Sequence, residues 1–374
     1  MTKGCPILIT MPGERGPSPS GDDVMSHSVN SYAPLNFGMV GLNFGGYIAD
    51  TLSHKPTGDL FKLTAVCDMD AAKAVDFGRR RGVKTYVDLD HMLADDDIQV
   101  VGLFTGPAGR AELLRRIIRK GKDVMTTKPF ELDPVAARSV LEEAQSLGRV
   151  IHLNSPPPET PAYLQQIQQW QQEYNLGRPI YCRGEVLVSY REIPDGRWTD
   201  DPARCPAAPI FRLGIYVITD LIRLFGRVRE VQVLSSQIFT QRPTADNAQL
   251  NLLFENKALG SVYATFCVDN GQHYGNSLVL HYERGTIYRN VFPVAYGRAE
   301  ATSRLLLAAT RDRCEVVIKE LELPEISGSY QWEAFHSAIT KRRSVPIPTD
   351  DIVHGIDVIA AMARAEQSRK TEVV

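Results

Sequence analysis

The sequence has no uninterrupted apolar run near the ~18 residues that a membrane-spanning helix needs, so no membrane partner is expected. Nor does it carry an excess of either charge. Its 42 lysines and arginines nearly balance 44 aspartates and glutamates, giving a formal net charge of −2. A field that would gather nucleic acid is therefore missing, and the basic runs at 79–81, 115–122 and 341–343 read as solvated helix ends. Cysteine is scarce. The six residues Cys5, Cys67, Cys182, Cys205, Cys267 and Cys314 include no Cys-x-x-Cys pair, which fits reduced thiols in a cytoplasmic protein better than a disulfide framework. The eight histidines form no His-x-His or His-x-x-x-His pair, so no zinc site is expected. No internal repeat is visible. A secretory signal is not expected either, because Pro6 and Pro12 flank only a very short apolar stretch and Glu14 follows.

What is present is ordinary globular composition: 43% hydrophobic and 23% charged over 374 residues, enough for two domains. Residues 1–34, rich in Gly, Pro, Ser and Asn, read as a flexible leader in which Met25 is an alternative start. From 35 to 153 short apolar strands (at 61–67, 84–87, 99–104, 123–126 and 149–153) alternate with helices near 47–52, 71–81, 89–93, 108–120 and 134–147. That is the rhythm of an α/β domain with a parallel sheet wound on both faces. The prolines at 156–158 end it. From 154 to 374 longer strands follow at 180–190, 228–240, 249–254, 260–267, 277–282 and 286–290, with helices at 163–173, 215–225 and 351–368. This second part reads as an α+β domain on a large, mostly antiparallel open sheet.

The first strand ends in Gly41-Leu-Asn-Phe-Gly-Gly46. Set against G-x-G-x-x-G, the outer glycines are Gly41 and Gly46, and Asn43 takes the middle place, where glycine would let a pyrophosphate closest to the backbone. Asparagine tolerates positive φ better than most residues, so the turn itself is retained. Asp68, twenty-two residues after Gly46, ends the second strand. An acid there hydrogen-bonds the ribose 2′-hydroxyl of NAD and repels the 2′-phosphate of NADP. Turn, helix and acid-tipped strand together predict a Rossmann domain that prefers NAD to NADP.

Three further pieces, at 103–110, 121–129 and 198–226, together resemble the Gfo/Idh/MocA oxidoreductases, over about residues 36–370. The resemblance implies an N-terminal NAD(P)-binding Rossmann domain and a C-terminal substrate domain that often mediates homo-oligomers, dimers or tetramers. It also implies hydride transfer between the cofactor and a carbon of a small sugar or polyol substrate. Lys128 matches the active-site lysine of the family's Glu-Lys-Pro motif, present here as Thr127-Lys128-Pro129. Tyr216 stands where many members place the histidine of Asp-x-Gly-x-His, and one branch of the family uses tyrosine there. The implied cofactor-binding set is Gly41, Asn43, Phe44, Gly46, Asp68, Thr105 and Lys128. The departures from the pattern are Arg212 for the motif aspartate, Thr219 for a later aspartate, Pro206-Ala-Ala208 for Gly-Gly-Gly, and Arg110 for a helix-start histidine.

Oxidation of a secondary alcohol needs a base, and a tyrosine with a pKa near ~10 is a poor one at neutral pH. A neighbouring ammonium stabilises phenolate, so the expected catalytic pair is Tyr216 as proton exchanger with Lys128 tuning it. On the substrate side stand Asn154, at the end of the sixth strand, together with Arg212 and Trp198. Arg212 is either an ion-pair residue or the fork for a carboxylate or phosphate on the substrate. Trp198 has packing as its competing reading, and His152 reads as a structural histidine. Two other functions stay open: a non-catalytic dinucleotide or sugar sensor, and a redox-cycling lyase or glycosidase with tightly held NAD.

Overall fold

The computed structural model describes residues 33–271, 274–291, 302–311, 315–324, 329–341 and 347–374. All but the last two positions of the expected leader, with Cys5 and Cys314, lie outside these residues. The first half of the chain alternates strand and helix, with two helices between the first two strands. It runs β1 (Leu35–Val40), α1 (Leu42–Thr51), α2 (Thr57–Leu60), β2 (Phe61–Cys67), α3 (Ala71–Arg81) and β3 (Lys84–Tyr86). It continues through α4 (Leu89–Leu93), β4 (Val100–Leu103), α5 (Arg110–Arg119), β5 (Asp123–Thr126), α6 (Pro134–Ser146) and β6 (Ile151–His152). Local chemistry sets several of these boundaries. Asp70, Asp88 and Asp133 cap α3, α4 and α6 by accepting from the amides of Lys73, His91 and Val135, and Gly82 ends α3 in the left-handed region. β4 and β5 are buried along their whole length, as strands covered by helices on both faces must be.

These strands form one parallel sheet in the order β3-β2-β1-β4-β5-β6. The order reverses between β1 and β4, and a crevice opens at their carboxyl ends, where such sheets bind ligands. Val40 pairs with Leu103 at that end, so the turns leaving β1 and β4 face each other.

The second half contains α7 (Ala162–Glu173), β7 (Pro179–Leu187), a single 3₁₀ turn at Trp198–Asp200, a π-helical turn at Ile210–Gly214 and α8 (Ile215–Phe225). β8 (Val228–Ser236), β9 (Asn247–Phe254), β10 (Leu259–Thr265), β11 (Gly275–Tyr282) and β12 (Gly285–Arg289) follow. The chain ends with β13 (Ser303–Arg311), β14 (Glu315–Leu323), α9 (Trp332–Thr340), α10 (Thr349–Ser368) and β15 (Glu372–Val373). Nine strands make the second sheet, in the order β14-β13-β12-β11-β7-β10-β9-β8-β15. All its pairings are antiparallel except β7 with β10. One face carries α7, α8 and the later part of α10 over a continuous apolar core.

The sequence pattern did not reveal β13, β14 or α9. In β13 the buried Leu305, Leu307 and Ala309 alternate, but Leu306 and Ala308 between them are apolar too, which hides the period of two. Two expected strands end early: the one at 180–190 stops at Leu187 and the one at 228–240 at Ser236. The far end of the chain also returns to the first sheet. Trp332, Phe335 and Ile339 of α9 join the core beneath β1 and β2, and Ile352, Val353 and Ile356 of α10 join the core on the other face. Among the described residues no helix is long and apolar enough to cross a membrane.

The contact that seats α8 on β7 leaves no room for a side chain at Gly184, whose Cβ would fall 2.0 Å from Val217 Cγ1. G184A should therefore cost roughly 1–3 kcal/mol by overpacking. V217A in the same chain should restore part of the loss, as read by urea denaturation. G184A as stable as the parent would show that α8 is not held there.

Candidate active site

The turn after β1 is built for close approach. Gly41 has φ 85°, and a Cβ on it would lie 2.9 Å from the Phe104 carbonyl oxygen, so the chains leaving β1 and β4 nearly touch. Gly45 brings α1 onto the sheet, its Cβ position lying 3.0 Å from Met39 Sδ. Gly46, to which the motif reading gives the third-glycine place, has ordinary room, 3.6 Å from Phe77. The packing function belongs to Gly45. Asn43 is exposed and accepts from Lys73 Nζ at 3.0 Å. Phe44 is half exposed, with its ring against Phe104 and Tyr47.

Asp68 ends β2 with Oδ2 accepting from the Leu42 amide at 2.8 Å and Oδ1 from the Asp70 amide at 3.0 Å. A carboxylate offers about four acceptor sites, so each oxygen keeps one for a ribose hydroxyl. Gly41 has no side chain with which to cap α1, and no acid stands in the helix's first turn. That leaves a helix N-terminus suited to an anion. The residues present therefore fit a dinucleotide.

Beyond β4 the chain passes Thr105 and Gly106, where a Cβ would meet Trp198 Cδ1 at 2.9 Å. Trp198 thus packs on this loop and, edge-on, against Phe211 at 6.1 Å. The segment carrying it is tied down by buried Arg242, which pairs with Glu192, Asp195 and Asp200.

Arg110, 1% exposed, organises the loop after β5. Its guanidinium donates to the carbonyls of Thr105, Thr127, Pro129 and Phe130. Among the described residues it pairs with no carboxylate. Burial lowers it to about 10, against the pull of Glu131, so it stays charged at neutral pH. The loop it holds includes the cis peptide Lys128-Pro129.

Lys128, Asn154 and Tyr216 come together at the carboxyl ends of β5 and β6, facing α8. Asn154 is 1% exposed. Its Oδ1 accepts from the Lys128 amide at 3.1 Å, and its Nδ2 donates to the Tyr216 hydroxyl at 3.1 Å. Lys128 Nζ donates to the carbonyl oxygen of Arg212 and lies 4.7 Å from the Tyr216 ring centroid. The receiving carbonyl is in the π-helical turn, where the backbone ladder is interrupted.

The ammonium thus faces the ring rather than the hydroxyl, and the expected tuning is reversed. Burial, with the Tyr330 and Tyr274 phenols nearby, pushes Tyr216 well above the ordinary tyrosine value. Burial, reinforced by the Arg212 and Arg110 cations, brings Lys128 down to about 7. Lys128 thus titrates near neutral pH, where Tyr216 keeps its proton.

Arg212 is also settled locally. Its Nη1 and Nη2 donate to Glu192 at 2.6 and 2.8 Å, and its guanidinium lies 4.7 Å from the Phe266 ring centroid. Burial raises Glu192, but the Arg212 hydrogen bonds outweigh it and hold the carboxyl below its usual value. The fork that a substrate acid would need is occupied, which fits the ion-pair reading. Thr219 bonds the Ile215 carbonyl at 2.9 Å within its own helix. Buried His152 donates from Nε2 to the Tyr330 carbonyl at 2.7 Å, and burial lowers it to about 4. Since a carbonyl only accepts, Nε2 carries the hydrogen.

One residue of this neighbourhood escapes sequence reasoning. Tyr330, just before α9, donates from its hydroxyl to Thr127 Oγ1 at 3.0 Å and sets its ring against Phe104. It lies about 200 residues beyond Thr127 in an unpatterned stretch, so no local signal marks it.

Residues 35–155 match the model of the oxidoreductase family with NAD-binding Rossmann fold, and residues 164–288 match that of the GFO/IDH/MocA C-terminal domain. Inositol 2-dehydrogenase of Rubrobacter xylanophilus is 29% identical over 113 residues, 30% of this chain and 32% of that protein. An uncharacterized oxidoreductase of Schizosaccharomyces pombe is 23% identical over 201 residues, 53% of this chain and 54% of its own length. The chain thus spans about a third to a half of the curated relatives it matches. Levoglucosan dehydrogenase in complex with NADH shares the fold with a TM-score of 0.67 at 18% identity, covering 91% of this chain and 99% of that one. GenD2 from gentamicin A biosynthesis, in complex with NAD, gives 0.72 at 19% identity over 96% and 99%. With both family models matched in order along one chain, the protein belongs to the Gfo/Idh/MocA oxidoreductase family.

Proposed function

We propose that this chain is an NAD-dependent oxidoreductase that moves a hydride between nicotinamide and a secondary alcohol or ketone of a sugar, cyclitol or related small molecule. The observation that carries this reading is the Lys128–Asn154–Tyr216 cluster at the crevice of the parallel sheet. Bound at Gly41, Asn43, Phe44, Asp68 and Thr105, NAD would supply the hydride acceptor. Asp68 favours NAD over NADP, because a second negative charge beside the carboxylate is repelled.

This chain's residues supply the proton chemistry. With a pKa of about 7, neutral Lys128 takes the hydroxyl proton as an alcohol is oxidised, and its ammonium form returns a proton in the reverse direction. Tyr216 remains protonated throughout. Its oxygen accepts from Asn154, so its own proton is free to donate to the substrate oxygen and stabilise the charge developing there. Trp198 closes the cofactor loop at Gly106, and the Arg212–Glu192 pair walls the substrate side without presenting a free charge. A neutral polyol suits such a wall better than an acid does.

Three measurements test the reading on a panel of sugars and polyols with NAD. The rate of alcohol oxidation should rise with pH through about 7 and then level, since neutral Lys128 is the active form above its pKa; reduction should fall over the same window. A flat profile would remove Lys128 as the base. K128R, which stays cationic, should lose the rising limb and roughly 100- to 10,000-fold in turnover while still binding NAD. Y216F should lose about 100-fold in kcat with NAD affinity unchanged, and full activity in that variant would overturn its assigned part. Nicotinamide absorbance of the purified protein, with no turnover of external sugars, would instead favour the redox-cycling alternative.

A further inference from the structure

The hydrogen bonds around Asn154 extend past the catalytic cluster, and their directions can be fixed one by one. Tyr330 donates to Thr127 Oγ1 at 3.0 Å. The Thr127 hydroxyl donates onward to Asn154 Oδ1 at 3.4 Å, where the Lys128 amide also donates at 3.1 Å. Asn154 Nδ2 then donates to Tyr216 at 3.1 Å. Thr127 has one proton; because Tyr330 supplies the bond on its lone-pair side, that proton is free to point at Asn154. If the Asn154 amide flipped, its NH₂ would face two donors, the Lys128 amide and the Thr127 hydroxyl, in a site where an unmade hydrogen bond is costly. The unflipped amide makes the Tyr216 oxygen an acceptor and turns the tyrosine's proton outward.

We infer that Thr127 and Tyr330 are positioning residues that act through Asn154 to aim the Tyr216 proton at the substrate. Tyr330 is itself anchored from two sides, by its carbonyl on His152 at 2.7 Å and by its ring on Phe104. The segment before α9 is thereby connected to a hydroxyl on α8 through two side chains of the parallel-sheet domain. The inference rests on the proposed catalytic reading, in which Tyr216 is a donor.

The test uses the full chain with the variants T127V, T127S and Y330F. T127V removes the hydroxyl while keeping the branched shape; T127S keeps the hydroxyl and loses the methyl. The Asn154 side-chain amide signals, identified in isotope-labelled protein by their loss in N154D, read the orientation with no substrate present. They should be slow to exchange in the parent and in T127S and fast to exchange in T127V. In sugar oxidation with NAD, T127V should lower kcat about tenfold with KM and NAD affinity within about twofold. T127S should recover most of that loss, and Y330F should fall between the two. Unchanged amide exchange in T127V, or T127S as impaired as T127V, would overturn the inference. Full turnover in Y216F with the amide behaving as expected would count against the catalytic reading alone.

Discussion

The site depends first on one buried cation. Arg110 binds four main-chain carbonyls from the ends of β4 and β5, and these segments carry Thr105 on one side and Lys128 on the other. A guanidinium is well suited to this, because its five donors spread in a plane and it sheds water more readily than an ammonium. Glu131, whose charge pulls against the desolvation of Arg110, accepts from the Ala111 and Leu132 amides. Among the described residues Arg110 therefore keeps its charge with carbonyl acceptors alone and no carboxylate partner. That charge is also felt by Lys128, which it helps to hold near neutrality at physiological pH. One residue fixes the geometry of the loop and biases the chemistry of its lysine.

Much of this was legible in the sequence, and the parts that were not share a cause. Most strands and helices of the parallel sheet follow local periodicity and Asp caps and lie within a few residues of the reading; α1 begins five residues before the expected 47–52, and α2 was not expected. Lys128 and Tyr216 were visible as candidates through the family resemblance, and Asn154 through its place at the end of the sixth strand. Their mutual relation was not, because which atom the ammonium faces is set by packing between β5, β6 and α8. An exposed lysine beside a phenol lowers the phenol's pKa; a buried one over the ring face leaves the phenol subject to desolvation. Arg212 was ambiguous for a similar reason. Its partner, Glu192, comes from the irregular segment after β7, where no spacing rule predicts a meeting.

The return of the chain to the parallel sheet was hidden more deeply. Trp332 and Phe335 complete an aromatic cluster with Phe37 and Phe61 under the first strand. Ile352, Val353 and Ile356 do the same on the opposite face from the start of α10, whose later turns belong to the other core. The two sheets are thus joined by shared cores as well as by the link at 153–162. Independent rocking of one against the other, the default for domains joined by a small interface, is opposed by this arrangement.

The π-helical turn at Ile210–Gly214 has a bearing on how relatives are compared. In an α-helix each residue turns the chain by roughly 100°, so one extra residue rotates everything after it by about that angle. Tyr216 lies two residues beyond the turn and faces Asn154. A homologue lacking the bulge could share every flanking residue and still direct the corresponding side chain away from the crevice. Identity at this position is informative only when the local winding of the helix is shared as well.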